Sequence, residues 1–423
     1  MRNKSISVTP SAARLTSSLR DIGYDFVSAV ADLVDNSIAA NAKNIDIMIK
    51  FDGAESYVLI ADDGTGMSEN ALVESLRFGS RRSYDVGELG RYGLGLKTAS
   101  LSQCRSVTVS TRRASVYKRI ATRMLDLDII MDFDDWLIVD PKRTKAVQEA
   151  ERWLAQAPGT VVVWSKLDRV LPDRRPEGGW ARRRIEGLVQ KTTTHLSMVF
   201  HRYLEGTAAA RQVIITVNGE KLCPWDPFAL GEERTQELPA LSLEVVSGDQ
   251  AGRIRLRRFV LPPKEKFSSQ AEFERLSGPL KWNRQQGLYI YRADRLVQWG
   301  GWGGIRSIDE HTKLARVALD FNTDLDSSFH INVAKMRVSL PSAVRQMLER
   351  PLHEVCMRAN DTYRKSTKRA SATAVPSAEL APLPVVGLAL RSAAAQSGDY
   401  AAFKRIVNVL RETAPEVADS LNF

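Results

Sequence analysis

Two residues one helical turn apart carry the first chemistry in this sequence. They are Asp32 and Asn36, in DFVSAVADLVDNSIAA at 25–40. At i and i+4 they share the polar face of an amphipathic helix whose apolar positions are 26, 27, 30, 33, 34 and 38. A carboxylate there can take a proton from an attacking water. A carboxamide oxygen can ligate Mg²⁺, a hard cation that sits among phosphates. Standing alone, the pair also fits a solvated helix face.

YVLIADDGTGM at 57–67 runs an apolar strand into Asp62, then Gly64, Gly66 and Met67. A carboxylate at a pocket floor can accept from an adenine amino group, and glycines beside it let a flat base approach the backbone. A plain Asp-Gly turn is the simpler alternative. GRYGLGLKTAS at 90–100 brings Gly90, Gly93, Leu94, Gly95, Leu96, Lys97 and Thr98. It is no P-loop, because Leu96 separates Gly95 from Lys97, and no dinucleotide fingerprint, because position 98 is Thr. It fits backbone amides at a helix start, with Lys97, facing an anion. A glycine-hinged turn fits as well. PGTVVVW at 158–164 adds the hydroxyl of Thr160, on a strand, for a base edge or a bridging water.

The elements that must position these groups follow from periodicity. Ile45, Ile47 and Ile49 alternate in NIDIMIK, a half-buried strand. Further strands are predicted at 57–67, 106–111 and 159–167, closing an α/β sandwich near residue 168. A long helix is predicted at 181–206. A second α/β unit follows, with strands at 212–222, 241–248, 253–261, 286–298 and 315–322, a polar inserted loop at 262–283 and a helix near 341–360. Residues 361–385 read as a Ser/Ala/Pro-rich linker. The tail 399–412 carries Phe403, Ile406, Val407 and Leu410 on one helical face, a stripe expected to dock on the protein's own body.

The order D-x-x-x-N, D-x-G-x-G-M, G-x-G-L-K, G-T resembles that of the GHKL ATPases: gyrase B subunit, heat-shock ATPase chaperones, MutL and the MORC proteins. The resemblance implies an N-terminal Bergerat-fold α/β sandwich ATPase domain (1–170), a ribosomal-protein-like α/β transducer domain (171–360), the linker and a short helical C-terminal tail (386–423). It implies ATP and Mg²⁺ as cofactors, with a lid at 77–92. INVAKMRVSLP at 331–341 resembles the MutL and MORC transducer segment, which makes Lys335 the γ-phosphate contact. QGLYIYRADRLVQWGGWGG at 286–304 resembles a MORC-type stretch. Bacterial MORC-like ATPases are the best match. That implies an ATP-dependent homodimer, DNA as partner, and nuclease or methyltransferase partner proteins of a restriction, defence or repair system. Sensor histidine kinases fit poorly, since no His precedes residue 195. Two departures stand out. Most members carry Glu where this chain has Asp32, one methylene shorter, which leaves open a nucleotide-gated switch with negligible hydrolysis. Asp63 replaces the usual Asn and adds negative charge near the pocket.

The bulk composition agrees with a globular chain. Of 423 residues, 43% are hydrophobic and 26% charged. No run of 18 uncharged apolar residues predicts a membrane span, and MRNKSISVTPSAARL lacks a secretory apolar core, so a cytoplasmic location is expected. Three scattered cysteines argue against disulfides and structural zinc. The net charge of +10 is clumped at 169–184, 252–259 and 358–369, consistent with a nucleic-acid partner or with solvated faces.

Overall fold

The computed structural model describes residues 10–21, 24–79, 95–113, 119–171, 175–208, 211–247, 250–326, 328–329, 338–373 and 383–423. Two compact units result, Met1–Thr362 and Tyr363–Phe423. The expected boundary near residue 170 falls inside the first.

The chain opens with α1 (Ala12–Arg20) and α2 (Phe26–Ala39), capped by Asp25, whose carboxylate accepts from the Ser28 amide at 2.8 Å. Then come β1 (Asn44–Lys50), β2 (Tyr57–Asp62), α3 (Glu69–Leu76), α4 (Gly95–Leu101), β3 (Ser106–Arg112), β4 (Ala121–Asp126), α5 (Leu127–Phe133), α6 (Lys145–Gln156) and β5 (Gly159–Ser165). These are followed by α7 (Gly179–Val199), α8 (His201–Glu205), β6 (Ile214–Val217) and β7 (Glu220–Lys221). The strands form one sheet in the order β4-β3-β5-β2-β1-β6-β7.

This sheet is covered on both faces. Val58, Ile60, Val162 and Trp164 join Ile45, Ile47 and Ile49 in a core shared with α2. The alternate residues Tyr57, Leu59, Ala61, Val161 and Val163 pack on Ala146, Ala150 and Leu154 of α6. Burial on two faces explains why β2 reads as an unbroken apolar run. It also accounts for α2, which is buried on nearly every side and not on one stripe.

The piece at 212–222, expected in the second α/β unit, instead extends the first sheet. β6 pairs parallel to β1, and a parallel pair needs a long crossover, here α7 and α8. The helix expected at 181–206 breaks at Phe200, which separates α7 from α8.

The second sheet is built from β8 (Gln236–Ser247), β9 (Gln250–Val260), β10 (Gly287–Arg292), β11 (Arg295–Trp299) and β12 (Ala315–Phe321), in the order β11-β10-β12-β9-β8. The polar stretch expected as a loop holds α9 (Gln270–Leu276) and α10 (Lys281–Gln285). Its aromatics form their own small cluster: Phe273 stacks on Trp282 at 4.3 Å with Phe267 against both. Helix α11 (Ser342–Thr373) runs well into the expected linker.

The tail folds as α12 (Leu383–Gln396), α13 (Tyr400–Thr413) and α14 (Pro415–Ser420). Phe403 meets the Phe423 ring edge-on at 5.2 Å, while Ile406 of the predicted stripe is exposed.

Candidate functional site

Helix α2 brings two candidate groups to opposite surroundings. Asp32 is buried at 2% exposure, whereas Asn36, one turn on, is exposed. The shared polar face is therefore half interior. Asp32 Oδ2 accepts from the Tyr24 hydroxyl at 2.8 Å. Burial, and then the Asp32 carboxylate itself, push the Tyr24 phenol well above its ordinary value, which keeps it a donor. Tyr24 is in turn held by α4 and the turn after it: the Thr98 hydroxyl bonds its oxygen, and Gln103 Nε2 donates to its carbonyl at 3.0 Å.

Asp62 ends β2, buried, and each of its carboxylate oxygens accepts a hydrogen bond. Ser37, on α2, donates to Oδ2 at 2.9 Å, and the Gly64 amide donates to Oδ1 at 3.0 Å. Burial pushes the carboxyl up to about 6, against these two bonds and one from the Thr160 amide. Thr160 stands directly across from Asp62 on β5. Its hydroxyl lies 3.2 Å from that of Thr111, which also accepts from the Met67 amide at 2.9 Å. Gly66 adopts φ +64°, and a Cβ there would meet the Arg112 carbonyl oxygen at 2.2 Å. Gly64 is as confined, by Ala40 and by Asp62 itself. Space beside the carboxylate thus depends on having no side chain.

Asp63 has its charge tied to the start of β1. Burial pushes it up, but the Asn44 and Lys43 amides at 2.9 and 2.7 Å and the Asn44 side chain at 2.7 Å hold it below its ordinary value. It fastens the start of β1.

The third motif is seen in part. Gly90, Gly93 and Leu94 lie outside the described residues, as do Lys335 and most of the expected lid. Gly95 and Leu96 open α4, and a Cβ on Gly95 would stand 4.0 Å from Asp32 Oδ2. The last glycine of the motif therefore stands beside the candidate base. Lys97 is buried, and its ammonium donates to the carbonyls of Ser75 at 2.9 Å and Arg77 at 2.7 Å. Burial lowers it to about 8. In this arrangement Lys97 holds the end of α3, and a phosphate would have to compete with two carbonyls for it.

Asn36 exposes a side-chain amide oxygen, a hard donor of the kind Mg²⁺ accepts. Among the described residues no group of three His, Cys, Asp or Glu could hold a metal ion.

Sequence reading missed four participants. Tyr24, Ser37 and Thr111 carry no motif. Nor does Asp35, which is fully buried against Arg295 of β11.

The comparisons with known proteins meet this geometry. Residues 24–160 match the family described as histidine kinase-, DNA gyrase B- and HSP90-like ATPase. The chain is 32% identical over 92 residues to ATPase morc-1 of Caenorhabditis elegans, covering 21% of this chain and 10% of that protein. It is 35% identical over 92 residues to the DNA mismatch repair protein MutL of Thermoanaerobacter sp. (strain X514), covering 20% and 14%. It is 26% identical over 159 residues to protein MICRORCHIDIA 5 of Arabidopsis thaliana, covering 33% and 22%. The match thus spans a quarter or less of these relatives' own lengths.

Proposed function

We propose, from the premise that residues 24–160 belong to the histidine kinase-, DNA gyrase B- and HSP90-like ATPase family and resemble MORC and MutL proteins, that this protein hydrolyses ATP slowly and dimerises when ATP binds. One observation carries the reading. A single helix, α2, presents the buried carboxylate Asp32 and, through Ser37, reaches the pocket-floor carboxylate Asp62.

Asp62, with the space kept by Gly64 and Gly66 beside Met67, takes the adenine amino group. Thr160 supports the base edge, directly or through water. Asn36 holds Mg²⁺, which neutralises phosphate charge. The amides opening α4 at Gly95, Leu96 and Thr98, preceded by Gly90, Gly93 and Leu94, face the phosphates, with Lys97 in reserve. Asp32 orients water and receives its proton. Lys335 contacts the γ-phosphate in this reading, as the resemblance to MutL and MORC proteins implies. The division into ATP-binding domain 1–170, transducer 171–360, linker and tail belongs to the same reading.

DNA is the proposed partner, and the setting a bacterial restriction, defence or repair system with nuclease or methyltransferase neighbours. Exposed Arg182 and Arg183 on α7, and Arg253 and Arg255 on one side of β9, support it. Arg258 of the same basic run does not, because it is buried on Glu354 at 2.5 Å. Among the described residues no helix is long and apolar enough to cross a membrane.

A second reading, a nucleotide-gated switch with negligible hydrolysis, draws on one fact: Asp32 already accepts from Tyr24 and has Arg295 at 3.7 Å, both of which weaken a base. Steady-state phosphate release with Mg²⁺-ATP, wild type against Asp32→Ala, decides. Release above background that vanishes in the variant establishes hydrolysis. Equal background rates with retained ATP binding establish the switch.

A further inference from the structure

Arg295 comes from the second sheet, yet its guanidinium lies against α2. Its Nε is 2.8 Å from Asp35 Oδ2 and 3.0 Å from Oδ1, and a terminal nitrogen is 3.7 Å from Asp32 Oδ1. All three side chains are at most 4% exposed. Asp32 and Asp35 are at i and i+3, on one side of the helix. Two carboxylates taken out of water on one face repel each other, and this cation offsets both. The Phe200 ring backs it at 5.8 Å.

The turn that delivers Arg295 is costly. Ala293 and Asp294 join β10 to β11 with φ of 46° and 65°, the left-handed region that such a two-residue hairpin normally gives to Asn and Gly. Partners hold it there. The Tyr203 hydroxyl donates to the Ala293 carbonyl at 2.9 Å, Arg202 bonds Asp294 at 3.0 Å, and the Ala293 amide donates to the Phe321 carbonyl at 3.1 Å. Strain so well supported is retained for what it places. What it places is Arg295.

We propose that Arg295 is a positioning residue for hydrolysis. Bound to Asp35, it fixes the α2 turn that carries Asp32, so the seating of the β10–β11 hairpin sets the geometry of water activation. This rests on reading Asp32 as the base of an ATPase. Arg295 acts through α2.

The test uses the full chain and two variants. Arg295→Lys keeps the charge but loses the fork. The double variant Arg295→Met with Asp35→Asn removes the pair together, leaving Asp32 as the remaining buried carboxylate, still accepting from Tyr24. Melting curves check folding, and affinity for a non-hydrolysable ATP analogue checks the pocket. The expected result is kcat lower by about tenfold or more with analogue affinity within about threefold of wild type. Wild-type kcat in either folded variant overturns the proposal. Asp32→Ala runs alongside. If it abolishes turnover while the Arg295 variants keep theirs, only this inference fails. If it keeps full turnover, the base assignment beneath it fails.

Discussion

The Tyr24 hydroxyl donates to Asp32 Oδ2 at 2.8 Å, occupying one of the two oxygens of the candidate base. The phenol stands close to where a longer Glu side chain would place its carboxylate. With Arg295 at 3.7 Å and the α4 start nearby, little room is left for an added methylene. Asp32→Glu alone should therefore lower kcat and melting temperature, as overpacking does. Tyr24→Phe with Asp32→Glu should recover both, because the hydroxyl is gone. A single variant as active and stable as wild type would show that Tyr24 does not limit the site.

Asp62 gives the site two opposing responses to pH. Burial puts its carboxyl at about 6, above its value in the unfolded chain. The folded state therefore binds this proton more readily than the unfolded chain. Asp62 contributes most to stability below about pH 4, and that contribution, on the order of 3 kcal/mol, is lost as pH rises through about 6. ATP binding runs the other way, because an ionised carboxylate is the better acceptor for an adenine amino group. Affinity should rise through about pH 6. Asp62→Asn should flatten both curves and weaken binding throughout. Thermal melts and ATP titrations at about pH 5 and about pH 7.5 measure both. An affinity profile that keeps its slope in the variant would move adenine recognition elsewhere.

Lys97 can be separated from the phosphates by experiment. Its ammonium bonds the carbonyls of Ser75 and Arg77. Lys97→Met should lower the melting temperature of the nucleotide-free protein by a few degrees, about what losing two such bonds costs. The further rise on adding ATP should match wild type. An unchanged melt with a smaller ATP-induced rise would instead give the ammonium to the phosphates.

What the sequence disclosed was local. Ile45, Ile47 and Ile49 announced β1, and the apolar run into Asp62 announced both a strand and a carboxylate at its end. What it concealed was long-range. Asp35 meets Arg295 across 260 positions, and a carboxylate on a helix gives no sign of a buried partner so distant. Parallel pairing of β6 to β1 leaves no local trace either, so the strand at 214–217 read as part of the next unit. The two short helices at 270–285 were hidden by polar composition, since their stability comes from Phe267, Phe273 and Trp282 packing together and not from a helical stripe.

DNA binding separates charges that stand in water from charges that hold the fold. Arg182 and Arg183 are exposed on α7, whereas Arg258 is buried, with Glu354 at 2.5 Å and the Pro239 carbonyl at 3.0 Å. If the basic surface binds the phosphate backbone, Arg182→Glu with Arg183→Glu should weaken binding to any sequence. It should also flatten the salt dependence by about one unit per lost phosphate contact. Arg258→Ala should lower the melting temperature, because the buried Arg258 stem and its bonds to Glu354 and Pro239 are lost, and leave the affinity of the folded protein unchanged. If ATP drives dimerisation, a topological expectation follows. With a non-hydrolysable analogue present, complexes on circular DNA should survive a high-salt wash that strips linear DNA, because a closed ring cannot slide off an end. Retention on both forms before and after the wash is the measurement. Equal loss from circle and line would leave a basic surface without a clamp, and equal affinity in the Arg182 and Arg183 variant would remove the surface as well.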